Sequence, residues 1–595
     1  MTVYNVPLAD IQFVLDRFCG LKEIGTLPKF ADHDMSVVPD MLAEAARFFE
    51  EKFAPLNSVG DTVGSVRNAD GSVATPPGFK EAYAAYVEAG WGGVGLDPGF
   101  GGGGFPLVVA NAIQEMMNSS NMALTMAPML SQGAIDALQH HGDEVQKMTY
   151  LPKMFSGEWT ATMNLTEPDA GSDVGAVRTK AVKNADGSYA ITGTKIYITF
   201  GEHDLAENII HLVLARTPDA PAGTKGISCF IVPKFLVNVD GSLGARNDVQ
   251  CVSIEHKMGI KASPTCVLSF GDNGGATGYL IGEENHGMAY MFTMMNQARL
   301  GVGIEGLALS ERAYQQAFEY ATLRKQGRAP GAPAGEPSLI IDHPDVKRML
   351  ATMKSTIEAM RRILYWNARC LDIAAASSDT HEREKAADMA ALLTPISKGW
   401  GTDMGVELTG LAIQIHGGMG FIEETGVAQH YRDARITTIY EGTNGIQAMD
   451  LVGRKIGLKG GAVIAGLFDD IAALDARLTK HAELSELAES LNSALKATRT
   501  STQWIMENSA NQVAVLSGAT PYLRQLSTLV AGYVMAQSAV IAFEASDLDS
   551  ATRAAKVASA RFFCEQLLPS VHGLSPAITG DDALLMSFTE EMLSK

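Results

Sequence analysis

The sequence predicts an α+β chain of several domains, in which a helical region, a strand-rich region and a second helical region follow one another and a further helical block closes the chain. Three observations predict that order. Apolar residues recur at helical spacing in "MLAEAARFFEEKFAPLN" and "FKEAYAAYVEAG", both before residue 160. Short runs rich in β-branched residues and bounded by turn signals follow: "YAITGTKIYITF", "NIIHLVLART", "GISCFIVPK" and "TCVLSFGD". Helical spacing then returns in "GVGIEGLALSERAYQQAFEYATLRKQG" and "VKRMLATMKSTIEAMRRILYWNARCLDIAAA".

Taken in order, the changes of character set an N-terminal extension at 1–35, a helical domain at 36–159 and a β-domain at 160–282. A helical domain at 283–455 and an extra helical domain at 465–595 follow. Asn184-Ala185-Asp186-Gly187 has the composition of a hairpin turn. Arg328 to Pro337 is a Gly/Pro/Ala loop, and "GRKIGLKGG" (453–461) reads as a linker. No internal repeat of solenoid period is present.

Composition bounds the function. A chain of 595 residues has room for roughly four domains. With 46% hydrophobic and 19% charged residues it is globular, not disordered. A net charge of −20 argues against a nucleic-acid partner, which needs a basic stripe. The six cysteines (Cys19, Cys229, Cys251, Cys266, Cys370, Cys564) are scattered without metal-ligand spacing, as expected in a reducing compartment with no metal site. "MTVYNVPLADIQFVLDRFCG" has no secretory pattern. Leu526 to Phe543 carries no charge, but its Ser, Thr and Gln residues and its flanking Arg524 and Glu544 read as a buried bundle helix and not a membrane span. The expectation is a soluble, cytoplasmic protein without a membrane partner.

Several motifs invite chemistry. Gly90-Trp91-Gly92-Gly93-Val94-Gly95 fits GxGxxG, but a dinucleotide fingerprint follows a strand and opens a helix, whereas helical text precedes this one. "MNLTEPDAGSDVGAVRTKA" (163–181) holds a small-residue turn whose amides and hydroxyls can bond a heteroaromatic edge or a phosphate; a plain surface turn is the alternative. "YATLRKQGRA" places Arg324, Lys325 and Arg328 at a helix end, where positive charge also offsets the dipole. "LAIQIHGGMGF" has more glycines than a helix stop requires, and its His416 reads as a packed residue. The methionines of "MAYMFTMMN" read as core filler. "RITTIYEGTNGIQAMD" puts Glu441 against a Gly-Thr-Asn-Gly turn, either to cap the next helix or to serve as a base. Glu167, Asp173 and Glu202 compete for the second role.

Together "MNLTEPDAGSDVGAVRTKA", "GTKIYITFGEHD", "ATLRKQG", "QIHGGMGF" and "YRDARITTIYEGTNGIQ", collinear over about residues 40 to 455, resemble the acyl-CoA dehydrogenase family. The N-terminal extension and the block after about 465 resemble its long members. The resemblance implies an N-terminal helical domain, a middle β-barrel-like domain and a C-terminal four-helix-bundle domain, with the extra helical domain appended. It implies FAD as cofactor and α,β-dehydrogenation of an acyl-CoA. Glu441 would take the α-proton while the β-hydrogen leaves as hydride to flavin N5.

Carried over position by position, Met163, Leu165 and Thr166 would line the flavin, and Gly171 and Ser172 would meet its phosphates or the CoA chain. Tyr197, in place of the more usual Trp, and Thr199 would flank the ring. Arg324, Gln326, Gln414, Gly417 and Gly418 would bind the ADP half from a neighbouring subunit, which implies at least a dimer. Thr443 and Gly445 would touch the cofactor beside Glu441. Asn296, where many relatives have Asp, and Arg299 would contact the substrate with Ser172. Electron-transfer flavoprotein is the implied acceptor. An oxidase using oxygen and a DNA-associated flavoprotein are the rival readings.

Overall fold

The computed structural model describes residues 4–580 and 582–595, with the side chain of Asn296 outside the described set. Contacts divide the chain into two compact units, Asp40–Gly301 and a second formed by Met1–Pro39 with Val302–Lys595.

In the first unit the helical text forms Phe79–Glu88, the long helix Leu107–His141 and the helix Glu144–Ser156. Asp143 and Gln146 close a reciprocal capping box at the start of the last. The GxGxxG stretch lies after Phe79–Glu88, in a short 3-10 turn at Trp91–Gly93 and the loop beyond, so it meets no strand. Eight of the described strands form one sheet. Seven pair in the order Val249–Ile254, Thr265–Phe270, Tyr189–Thr199, Ala276–Leu280, Ser228–Pro233, Asn208–Ala215 and Trp159–Asn164, and Lys180–Lys183 pairs off this path with Tyr189–Thr199.

Among the described strands, Trp159–Asn164 and Asn208–Ala215 are the one parallel pair. The Asn184–Gly187 hairpin is present: Gly187 sits at φ +90°, and Lys183 pairs with Tyr189. Asn208–Ala215 is buried along its whole length because both its faces are covered. Ile210, Leu212 and Leu214 enter one core with the helix residues Ile135, Leu138, Leu151 and Met154; Val213 and Ala215 enter the other with Ile191, Phe230 and Leu268. Met291 and Met294 fill the first core, as the methionine run predicts.

The second unit is helical throughout. Pro344–Ala376, Thr380–Pro395, Gly401–His416 and the later part of Gly287–Leu323 form its centre. Two glycines let helices cross closely: a Cβ on Gly303 would lie 2.6 Å from the Ser397 carbonyl, and one on Gly306 would lie 2.5 Å from that of Gly401. Ala519–Glu544 is long and apolar enough to cross a membrane, but 78% of its apolar window is buried within the protein, against Ser485–Glu507 and Ser550–Phe562. The segment expected as a linker forms a π-turn at Leu451–Lys455 and a 3-10 turn at Leu458–Gly461; Lys459 pairs with Asp388 at 2.7 Å.

Candidate active site

The Glu441 turn joins the 3-10 segment Arg435–Thr438 to the helix Asn444–Asp450. Glu441 sits at φ +55° and Gly442 at φ +83°. Glycine takes that conformation freely, whereas a residue with a Cβ pays about 1 kcal/mol for it. The surroundings hold it there.

Lys398, fully buried in the π-turn Ile396–Trp400, donates from Nζ to the Gly442 carbonyl at 2.8 Å and to Asn444 Oδ1 at 2.9 Å. Asn444 Nδ2 donates to the Gly399 carbonyl (3.0 Å), Thr402 Oγ1 (2.9 Å) and Asp403 Oδ1 (2.6 Å). Gln447 Nε2 reaches the carbonyls of Gly442 (3.3 Å) and Glu441 (3.4 Å). On the other side the Tyr440 hydroxyl donates to Glu305 Oε2.

Thr443, not Glu441, is the helix cap: its Oγ1 accepts from the Ile446 N–H at 3.2 Å. Capping that helix is therefore not the role of Glu441, a half-buried residue.

Two of the three competing acids have structural employment. Glu167 is buried, accepting from Lys195 Nζ (2.8 Å), Thr179 Oγ1 (2.6 Å) and the N–H groups of Arg178 (2.6 Å) and Thr179 (3.0 Å). Burial works against its charge, but Lys195 and these hydrogen bonds outweigh burial and hold the carboxyl below its ordinary range. Glu202, also buried, pairs with Lys234 and, at 3.2 Å, with Arg246. Asp173 is exposed before a 3-10 turn.

The other expected residues fall into two groups. In the first unit Met163, Leu165, Thr166 and Thr199 are half-buried, while Gly171 and Ser172 stand exposed on the turn that Glu167 anchors. Tyr197 is 61% exposed at φ +59°, and Phe200 three residues on is at φ +50°. Arg299 is buried; Asn296 lies in the same helix, its side chain outside the described residues.

In the second unit Arg324 and Gln326 are exposed just beyond the end of Gly287–Leu323, where Gln326 N–H donates to the Ser338 carbonyl (3.0 Å). Gln414, Gly417 and Gly418 are exposed at the end of Gly401–His416. His416 is the packed residue expected: buried, stacked on Tyr320 at 4.4 Å, its basicity lowered by burial.

These features fit FAD. A Cβ built on Gly171, Gly417 or Gly418 meets nothing within 4 Å, so the backbone is open to a close ligand there. Tyr197 offers an aromatic wall, and the Arg324 guanidinium offers an exposed cation for phosphate.

Sequence reasoning missed Glu305, Lys398 and Gln447. The signal for the first two was present: each is a lone charge in an apolar helical run, in "GVGIEGLAL" and "PISKGWG".

Comparison with known proteins places the class. The family descriptions "Acyl-CoA dehydrogenase, N-terminal domain", "middle domain" and "C-terminal domain" match residues 40–158, 162–273 and 285–456. "Acetyl-CoA dehydrogenase C-terminal like" matches 467–589. The chain belongs to the acyl-CoA dehydrogenase family and is an FAD-dependent oxidoreductase.

Among particular proteins it is 44% identical over 590 residues to 3-methylmercaptopropionyl-CoA dehydrogenase of Ruegeria pomeroyi, covering 98% of this chain and 100% of that one. The fold matches Caenorhabditis elegans ACDH-11 in complex with C11-CoA (TM-score 0.76, 20% identity, 98% of this chain and 96% of that one). It also matches the acyl-CoA dehydrogenase of Bacillus anthracis complexed with FAD (TM-score 0.72, 22% identity, 96% and 92%).

Proposed function

We propose that this enzyme converts 3-(methylthio)propanoyl-CoA to 3-(methylthio)acryloyl-CoA, with Glu441 as the acceptor of the α-proton. The observation that carries the residue assignment is the turn itself: a carboxylate on left-handed backbone, relieved of capping duty and clamped by hydrogen bonds to the residues around it. The full-length likeness to the Ruegeria pomeroyi enzyme supports the substrate.

A thioester α-proton is far too weakly acidic for a carboxylate in water, whose pKa is about 4.3. Glu441 is half-buried, so a bound acyl chain can strip the water it retains and raise its proton affinity. FAD, when bound, supplies the acceptor for the β-hydrogen and its two electrons. Lys398, Asn444 and Gln447 fix the turn, so that the carboxylate meets the α-carbon without reorganising. Met163, Leu165, Thr166, Tyr197, Thr199, Thr443 and Gly445 hold the flavin; Gly171 and Ser172 take phosphate or CoA groups. Arg324, Gln326, Gln414, Gly417 and Gly418 hold the ADP half across a homodimer. Ser172, Asn296 and Arg299 contact the substrate. Electron-transfer flavoprotein takes the electrons onward, in the cytoplasm.

The test is an anaerobic titration of the yellow, FAD-loaded protein with a panel of acyl-CoAs. Bleaching at the lowest concentration by 3-(methylthio)propanoyl-CoA is expected. A preference for long linear chains overturns the substrate, and no bleaching by any acyl-CoA overturns the reaction.

A further inference from the structure

Glu305 is fully buried in the helix Gly287–Leu323, yet no step above uses it. The close crossing that Gly303 and Gly306 permit brings this stretch of helix against Ser397 and Gly401. Glu305 meets the turn through Tyr440, the residue before Glu441, whose hydroxyl donates to Glu305 Oε2. Its Oε1 has no hydrogen-bond partner among the described residues. A buried carboxylate oxygen without a donor is costly, whereas the oxygen of a neutral acid is much less so. The charged and titratable groups that face Glu305 are Tyr440 and Glu441 from the turn and Lys398 from the π-turn.

We propose that Glu305 is a positioning residue for Glu441: through Tyr440 it holds the left-handed turn, and it keeps a proton so that the negative charge of the pair rests on Glu441. The inference rests on the reading of Glu441 as the base. Two carboxylates against one lysine would leave a surplus charge in a buried setting, and each would raise the other's proton affinity. An ionised Glu305 at neutral pH would therefore push Glu441 toward the protonated form that cannot act as a base. Burial raises Glu305 to about 8, with the nearby Glu441 charge adding to the effect and Tyr440 and Lys398 opposing it. Glu305 therefore holds its proton through the neutral range and ionises above it.

The experiment follows anaerobic flavin reduction by saturating acyl-CoA from pH 6 to pH 10 in the full-length, FAD-loaded protein. Wild type is expected to show a rise centred near pH 8, by about threefold: at that pH Glu441 stays ionised even with its proton affinity raised, so ionised Glu305 makes it a stronger base without protonating it. Glu305→Gln keeps an acceptor for Tyr440 but cannot ionise, so its profile lacks that rise whatever its plateau. Glu305→Leu removes the acceptor as well and lowers the rate about tenfold or more at every pH. Tyr440→Phe, which withdraws a donor from ionised Glu305, moves the rise to higher pH and supplies the readout if the Glu305 variants do not fold. A wild-type profile without the rise, or a Glu305→Gln or Tyr440→Phe profile with the rise unmoved, overturns the proposal. Failure of the base assignment itself shows differently, as flavin bleaching that survives Glu441→Gln.

Discussion

Replacing Asp10 with Asn perturbs the N-terminal extension where it meets the rest of the second unit. Asp10 accepts from Arg361 Nη1 at 2.5 Å, from Arg362 Nη2 at 3.3 Å and from Lys556 Nζ, which joins the extension to the central helix Pro344–Ala376 and to the C-terminal helix Ser550–Phe562. The cations are almost completely shielded, with side-chain exposures of 2%, 0% and 8%. Glu311 (2.9 Å from Arg361) and Glu358 (3.3 Å from Lys556, 2.7 Å from Lys354) complete the cluster. Three acids thus face four bases.

The Asn variant leaves two acids against four buried or half-buried cations, and stranding charge in this way costs about 3–5 kcal/mol. Burial opposes the charge of Asp10, but Arg362, Lys556 and Arg361 outweigh it and hold the carboxyl well below its ordinary range. An acid with depressed pKa stabilises above its unfolded value and loses that contribution as pH falls. The wild-type and Asp10→Asn stabilities should therefore differ fully at pH 7 and converge below about pH 4. Urea denaturation followed by circular dichroism reads the difference, and limited proteolysis reads release of the extension. Lys556→Met added to Asp10→Asn should restore part of the loss. A loss under about 1 kcal/mol at pH 7, or one that does not shrink in acid, refutes the electrostatic account.

Three further outcomes are expected. Glu167→Gln strands the fully buried Lys195 and loosens the turn bearing Gly171 and Ser172, so thermal stability falls by roughly 3 kcal/mol and FAD is lost on gel filtration; tight FAD in that variant contradicts the anchoring role. Gly442→Ala forces a Cβ onto backbone at φ +83°, which costs about 1–2 kcal/mol in the melting transition and slows flavin reduction, with an unchanged rate counting against the clamped turn. The reduced enzyme should pass electrons to an artificial dye or electron-transfer flavoprotein far faster than to oxygen. Stoichiometric peroxide would instead make it an oxidase.

Much of this was legible in the sequence, for reasons of spacing. The short apolar, β-branched run of Asn208–Ala215 between turn signals, the Asn184–Gly187 hairpin and the 3.6-residue repeats of Pro344–Ala376 each encode one local element. The embedded polar residues of Leu526 to Phe543 point to a buried helix, and 78% of the apolar window of Ala519–Glu544 is buried within the protein. The Glu441 motif was visible, but the reason it is poised was not. Lys398 lies more than forty residues upstream and Glu305 far further; local sequence shows each as a lone charge in an apolar run but does not name its partner. The same holds for Glu167, which reads as a free acid until Thr179 and Lys195 are seen to saturate it. The glycines of the linker at 453–461 signal turns, while the pairing of Lys459 with Asp388 that orders it is tertiary and not visible locally.

The most direct measurement compares wild-type protein with Glu441→Gln, both loaded with FAD, in anaerobic stopped-flow mixing with 3-(methylthio)propanoyl-CoA. The account requires the variant to bind FAD and the thioester normally and to leave the flavin yellow, with reduction slowed by about 10⁴-fold or more, because an amide cannot take the α-proton. Reduction of the variant within tenfold of wild type would mean that another group removes the proton, and the assignment of Glu441 would fall.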